Sequence, residues 1–570
     1  MPISSRWQID IPSVSLPTYL FTSSTFPLPD KVAFYDAANP SHFLTHSTFR
    51  LYSQRLAAGL IKNGLKPGDR VLLFSGNNLY FPVVIMGIIM AGGVFTGANP
   101  GFVKRELVFQ LRDSGAKFLI CGGDCLGVGV KAVEEVGMGR GDVFAFGDGV
   151  EGGGGDGRGK GYEGVRNWTE LLESEEIGSK FQWKEDIDPR ETVCCLNYSS
   201  GTTGVPKGVM ITHYNYVANA MQYKHLHELH PDTAERNKKA KWLCFLPLYH
   251  AMGQTIFGAV APKRGIPVYI MKKFEFKEML EAVQKYKITT LTMVPPVVVL
   301  LVKSPLTKQY DLSSIIDIGS GAAPLSGEVI KAVENLWSNG RVKLTQGWGM
   351  TEGTCSLLGC DPRLDTPPNS VGELNANCHA KIVDPETMQE VREGERGEIW
   401  VRAPNIMKGY WQNPAATNET IINAPDGRWL RTGDIAYVDA QKQFFIVDRM
   451  KELIKVKGNQ VSPAELEALL LEHPGIADAA VVGVVREEEE EVPRAYVVRG
   501  GNGDGDGMVR EEEVLKWVEE RTSRFKWLKG GVEFVEVIPR NPSGKILRKI
   551  LREKAKEEME MSRNAVKARL

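Results

Sequence analysis

The densest run of chemistry in the sequence is Tyr198 to Gly208, YSSGTTGVPKG. Ser199, Ser200, Gly201, Thr202, Thr203 and Gly204 set hydroxyls among glycines, and Lys207 follows Pro206. Glycines let main-chain N–H groups turn toward an anion, hydroxyls add donors, and the lysine adds charge. The pattern reads as a loop that grips phosphate; its bland alternative is a Ser/Gly-rich surface turn. A Walker loop needs Gly-Lys followed by Ser or Thr. Here Lys207 is followed by Gly208, which disfavours the P-loop nucleotidases. A second cluster, His225, His227 and His230, has metal-like spacing but lacks an acidic or cysteine partner, so a polar helix end before Pro231 is expected there.

Further motifs follow the loop in order: Leu246 to His250 (LPLYH), Gly319 to Pro324 (GSGAAP), Gln346 to Glu352 (QGWGMTE), Tyr410-Trp411, and Thr432-Gly433-Asp434. Asp448 to Gly458 (DRMKELIKVKG) and Asn541 to Lys545 (NPSGK) close the series. In this order the chain resembles the acyl- and aryl-CoA ligases of the adenylate-forming superfamily, in the branch of the 4-coumarate–CoA ligases and luciferases. The resemblance covers nearly the whole chain. It implies that ATP activates a carboxylic acid as an acyl-AMP, with release of pyrophosphate, and that coenzyme A then takes the acyl group.

The resemblance also assigns roles. An anionic carboxylate must meet an anionic phosphate, so placing cations is the central problem. Glu352 is implied to hold Mg²⁺, which suits carboxylate and phosphate oxygens. Thr351 would contact the α-phosphate, and Lys545 would bridge the carboxylate and the developing charge; read alone, Lys545 is a solvated lysine. Asp434 fits the ribose hydroxyls, being able to accept two hydrogen bonds, with Arg449 beside it. Gly321, Ala322, Ala323, Gln346 and Gly347 would line the adenine slot. His250 is placed at the mouth of the acid site, although a lone histidine equally fits a satisfied core position. Met252, Ile256 and Cys355 enter the acid pocket. Lys455, Lys457, Gly458, Gln460 and Lys273 are implied to face CoA once the tail domain turns about a hinge at Lys451. The lysines of 451–457 also read as plain surface charge, and phosphate contact is the reading preferred in this context.

Departures from the family pattern concern the acid. Met252 stands where 4-coumarate ligases can carry a tyrosine that recognises a phenol, and Thr354-Cys355-Ser356 replaces a common Gly-Pro-Val. These changes argue against 4-coumarate itself and leave a medium-chain, aryl or arylalkyl acid. No basic residue for a second carboxylate is evident at these pocket positions. Val438 to Phe445 lacks the usual hairpin glycine. An amino-acid adenylation enzyme would need an aspartate after the Leu246–Tyr249 region for the α-ammonium, and Tyr249-His250-Ala251-Met252 offers none. A stand-alone aryl-acid adenylation enzyme or a catalytically dead nucleotide-binding module are the remaining alternatives, the second opposed by Lys545, Glu352 and the loop.

The elements that must position these groups are legible as alternation. Arg70 to Ser75, Lys117 to Cys121 and Trp242 to Leu246 read as buried strands, and Leu51 to Leu65 as an amphipathic helix, the pattern of parallel α/β layers. The expected fold is a large, multi-subdomain α/β domain over 1–448, followed by a smaller, mobile α+β domain over 449–570. Ser462-Pro463-Ala464-Glu465 matches a capping box opening the first tail helix. The Gly- and Asp-rich stretch 137–164 reads as a surface insertion. Arg486 to Glu491 and Gly500 to Gly507 read as two loops around the strand Ala495 to Val498.

Composition is that of an ordinary globular protein: 570 residues, 42% hydrophobic, 24% charged, net charge -1. That balance gives no electrostatic footprint for nucleic acid or an anionic membrane. The scattered cysteines form no CxxC pair, which fits a reducing compartment. Tyr80 to Ala98 is apolar but interrupted by Pro82 and several glycines, so a buried helix running into a strand is expected rather than a transmembrane segment. The ending Ala568-Arg569-Leu570 is of the peroxisomal-address type, implying a peroxisomal import receptor as partner, with the cytosol as the alternative.

Overall fold

The computed structural model describes residues 2–22, 30–147, 164–199, 205–337, 342–456, 459–485, 491–500, 509–541 and 544–567, with side chains described through Glu558. The alternation noted above becomes two mainly parallel sheets. One runs in the order Gly409–Tyr410, Lys207–Thr212, Val193–Ser199, Val94–Ala98, Arg70–Phe74, Phe118–Gly122, Val143–Phe146 and Arg166–Asn167. The other runs Leu344–Gln346, Asp317–Ser320, Thr290–Met293, Trp242–Cys244, Val268–Ile270, Val32–Asp36 and Phe43–Thr45. A third, antiparallel sheet contains Gly397–Arg402, Gly427–Val438 and Phe444–Arg449. Helix His46–Lys62 takes the amphipathic stretch, starting earlier than its apolar pattern because Thr45 caps it.

Tyr80 to Ala98 resolves into helix Phe81–Met90 and strand Val94–Ala98, both buried throughout. Burial on every side explains the uninterrupted apolar character. Among the described residues no helix is long and apolar enough to cross a membrane. The insertion reading of 137–164 needs correction in part. Val143–Phe146 is a fully buried strand beside Phe118–Gly122, while 148–163 lie outside the described residues.

Beyond Leu453 the chain builds hydrophobic clusters of its own. Ile454, Leu466, Val481, Val497 and Val514 pack together, as do Val482, Tyr496, Ile538 and Leu551. Helix Pro463–Leu471 begins as its sequence requires: Glu465 N–H donates to Ser462 Oγ, with proline in the first turn. The Glu465 carboxylate accepts instead from Lys526. Strand Phe444–Arg449 extends past Asp448, whose carboxylate accepts from Ser462 Oγ at 2.6 Å and from Ala464 N–H at 3.0 Å. The Val438–Phe445 turn manages without glycine because Lys442 takes the left-handed conformation at φ 62°. Asp439 Oδ1 accepts from the N–H groups of Gln441 and Gln443 and fixes it. Glu491–Arg499 is the strand expected around Ala495–Val498, and both flanking glycine- and glutamate-rich runs fall largely outside the described residues.

Candidate active site

Parallel pairing explains why motifs distant in sequence meet. Ser320 pairs with Gln346 and Met293 with Ser320 at the carboxyl ends of neighbouring strands. The Gly321–Ala322 turn, the Gly347–Glu352 turn and Val294 therefore issue at one edge, where open α/β sheets bind ligands. The Leu246–His250 loop joins them from strand Trp242–Cys244. It is held by buried Asn77, whose amide donates to the carbonyls of Leu246 at 3.0 Å and Met271 at 3.2 Å and whose Oδ1 accepts from Leu248 N–H. A Cβ at Gly97 would lie 2.8 Å from Tyr249 Cβ, so the glycine allows the two sheets to meet here. The edge encloses a cavity of about 810 Å³ bordered by His250, Met252, Gly321, Gln346, Thr351, Cys355 and Lys545.

Two paired strands flank the run expected to grip phosphate. Strands Val193–Ser199 and Lys207–Thr212 pair antiparallel, with Ser199 opposite Lys207. Ser200, Gly201, Thr202, Thr203 and Gly204 lie outside the described residues. Ser199 Oγ donates to Glu352 Oε1 at 2.9 Å, and Tyr410 OH donates to the same oxygen at 2.9 Å. Lys207 Nζ lies 5.0 Å from the Tyr410 ring centroid. Burial and the Glu352 carboxylate push the Tyr410 phenol up, so it stays protonated and donates. Tyr410 was legible as part of a motif, but its hydrogen bond to Glu352 was not.

Asp434 sits opposite Arg449 on adjacent antiparallel strands, with Arg449 Nε 3.5 Å from its Oδ1. Trp348 Nε1 donates to its Oδ2 at 2.8 Å. Burial raises the Asp434 pKa, and Arg449, Trp348 and Lys545 oppose that shift. Lys545 arrives from the tail domain on a turn in which its N–H donates to Asn541 Oδ1 at 2.9 Å. Gly544 before it has φ 84°, and a Cβ there would lie 3.0 Å from Val294 Cβ, so this turn docks closely on the large domain. Burial, helped by Arg449, lowers the Lys545 pKa to about 8 against the pull of Asp434 and Glu352. Burial and the Lys545 charge lower His250 to about 4, making it a neutral imidazole at pH 7. Its Nδ1 caps the next helical turn.

Next to Glu352 the backbone is strained. Thr354, a β-branched residue, holds φ 66° and ψ -53°, a conformation that costs roughly 1–3 kcal/mol. It is held by Thr354 Oγ1 donating to Asn405 O at 2.7 Å, while Asn405 Nδ2 donates to the carbonyls of Gly353 and Ser356. This is where the sequence departs from Gly-Pro-Val. The Cys355 thiol behind it is pushed up to about 12 by burial and is not a nucleophile at neutral pH.

Several expected positions differ in place or use. Gln346 borders the cavity, but its amide is committed: Oε1 accepts from Leu325 N–H and Nε2 donates to Pro368 O, each at 2.9 Å. Ala323 lies next to the lining residues Gly321 and Ala322 without bordering the cavity. Lys273, Lys451, Lys455 and Gln460 are exposed and do not border the cavity; Lys455 pairs across a hairpin with Gln460. Lys457 and Gly458 lie outside the described residues. The three histidines share no site: His225 packs on Trp7, His227 lies buried between Tyr223 and Trp242, and His230 approaches Asp232. His225 and His227 stand in the last turn of helix His213–Glu228, the helix end expected before Pro231.

Residues 23–411 match the profile described as AMP-binding enzyme, and residues 465–545 match that of the AMP-binding enzyme C-terminal domain. The chain belongs to the AMP-binding enzyme family. Among its relatives, a phenylacetyl-CoA ligase of Aspergillus niger is 36% identical over 97% of this chain and 98% of its own. A 4-coumarate–CoA ligase of Vanilla planifolia is 39% identical over 89% and 88%. Among solved structures, ATP-bound MatB from Rhodopseudomonas palustris superposes with TM-score 0.79 at 27% identity, covering 95% of this chain and 98% of that one. The family's two-part architecture places Lys545 at the end of the second match and Glu352 inside the first.

Proposed function

We propose that the protein is an ATP-dependent acid–CoA ligase that works through an acyl adenylate. The observation that carries this reading is that Lys545, from the tail domain, borders the cavity with His250 and has Asp434 and Glu352 within electrostatic reach. The acid's carboxylate oxygen attacks the α-phosphorus of ATP and the bond to pyrophosphate breaks. Lys545, charged when anions surround it, offsets the negative charge gathered between carboxylate and phosphate. Asp434, held by Trp348, takes the ribose hydroxyls, and Ser199 and Lys207 grip the outgoing phosphates. The CoA thiol, losing its proton, then attacks the acyl carbon and AMP leaves.

Mg²⁺ fits the same residues. Both hydrogen bonds that the Glu352 carboxylate accepts among the described residues go to Oε1, and a carboxylate with phosphate oxygens is enough for this ion, which keeps several waters. When bound it would neutralise phosphate charge. Lys451 is proposed as the hinge between 1–448 and 449–570. Turning the tail there would carry Lys455, Lys457, Gly458 and Gln460 toward Lys273 and CoA. The acid is proposed to be a medium-chain, aryl or arylalkyl one, supported by the Met252, Ile256 and Cys355 lining. Peroxisomal import through Ala568-Arg569-Leu570 is proposed as well; a fluorescent fusion that stays peroxisomal without those residues would overturn it.

The test is acid-dependent pyrophosphate release over a panel of fatty, phenylacetic and cinnamic acids, with and without CoA. Thioester formation is expected with at least one, and its absence from all of them would overturn the assignment.

A further inference from the structure

Lys545 reaches the cavity from the tail, so the tail has to be set against the large domain at a defined angle. Helix Pro295–Lys303 of the large domain meets the tail at both of its ends. At its start, Val294 lies against Gly544, the residue before Lys545; a Cβ on that glycine would stand 3.0 Å from Val294 Cβ. At its other end, Lys303 Nζ donates to the carbonyl of Leu471 at 2.9 Å and to that of Ile476. By helical rise the two contacts stand roughly 13 Å apart. One contact alone leaves the tail free to pivot, whereas two at that separation fix its angle.

The Lys303 end is chemically suited to the task. Leu471 is the last residue of helix Pro463–Leu471. The final carbonyls of a helix lack partners within it and carry partial negative charge. A lysine ammonium answers both, with donors and with charge. Burial lowers the Lys303 pKa, and Asp478 opposes that shift. The residue as a whole is nonetheless exposed, so its bonds can part without opening a core.

From Lys303 a line of contacts runs on to Lys545. Ile476 begins strand Ile476–Val485, which carries Asp478. Arg540 donates to Asp478 through Nη2 at 2.8 Å and through Nε at 3.3 Å, and its Nη1 donates to Gly544 O at 2.8 Å. Gly544 N–H donates in turn to Asn541 O at 2.8 Å. The Lys545 turn is therefore fastened to the strand whose first residue Lys303 holds. The Arg540 bonds lie within the tail and travel with it, while those of Lys303 cross to the large domain and part when the tail turns about Lys451.

We propose that helix Pro295–Lys303 is the seat on which the tail docks to make the adenylate, and that Lys303 is a positioning residue that holds Lys545 in place for this step and lets go before CoA reacts. This rests on the ligase reading and the turning tail proposed above.

The experiment separates the two half-reactions in the full chain. Acid-dependent pyrophosphate release is measured with an acid that the panel above accepts. Thioester formation from CoA and the ready-made adenylate of that acid is measured on its own. Lys303→Met is expected to lower pyrophosphate release by about threefold to tenfold, as for a charge-assisted hydrogen bond at a partly exposed site. Thioester formation is expected to be unchanged or faster, which also shows that the variant is folded. In a Lys545→Ala background, Lys303→Met is expected to lower pyrophosphate release no further, because its effect passes through Lys545. Equal losses in both half-reactions, no loss in the first, or losses that add to that of Lys545→Ala would each overturn the proposal. A wild type that releases pyrophosphate with none of the acids would overturn the ligase reading itself, and that is seen before any variant is made.

Discussion

The two ends of the cavity are built on opposite principles. At the nucleotide end the charged groups are cross-braced: Asp434 by Trp348 and Arg449, Glu352 by Ser199 and Tyr410. At the proposed acid end Met252, Ile256 and Cys355 border the cavity and supply shape rather than charge. The first end fixes geometry before any ligand arrives, which is what stabilising a developing charge requires. The second offers largely apolar surface, and the shape of the acid decides how well it fits.

If that contrast is correct, changes at the nucleotide end lower the rate for every acid alike, whereas changes at the acid end reorder the acids. Lys545→Ala is expected to have the largest effect, a loss on the order of a hundredfold or more in pyrophosphate release, equal across acids. A loss confined to some acids would break the comparison. Asp434→Asn keeps the Trp348 hydrogen bond but removes the charge. It is expected to raise KM for ATP by about tenfold to a hundredfold, the worth of a hydrogen bond to a charged group, with the acid ranking unmoved.

The pH profile is next. Lys545 acts as a cation and its pKa in the free protein is lowered to about 8. The kcat/KM should therefore fall as pH rises through about 8, by about tenfold per unit beyond it. In kcat the limb should move to higher pH, because bound phosphate favours the charged form. His250, lowered to about 4, should contribute no limb between pH 6 and 7. The smallest effect is expected for Ile256→Ala, a shift of about threefold to tenfold in kcat/KM toward bulkier acids with KM for ATP unchanged. A matching rise in KM for ATP would show that the two ends are not independent.

The nucleotide end was the legible one. Ser199 to Lys207, Glu352, Asp434 and Lys545 lie in short contiguous motifs, and residue type there nearly determines use. The parallel strands of the two larger sheets were also legible, being runs such as RVLLF and WLC with no polar interruption. The braces were not, because Tyr410 to Glu352 and Trp348 to Asp434 are contacts between distant segments. Nor was the left-handed Thr354, since nothing in its residue type predicts a backbone that Asn405 imposes from across the loop. The lysines Lys273, Lys451 and Lys455 are exposed and stand apart from the cavity.

The π turn at Gln254–Val260, which borders the cavity at Ile256, gives the acid end a history. Such a turn is an α turn carrying one surplus residue. Deleting that residue would restore regular α turns and change which side chains of 254–260 face the cavity, while the segments on either side, His250 among them, keep their register. The repertoire of this wall can therefore change by gain or loss of a single codon, without touching the machinery that makes the adenylate.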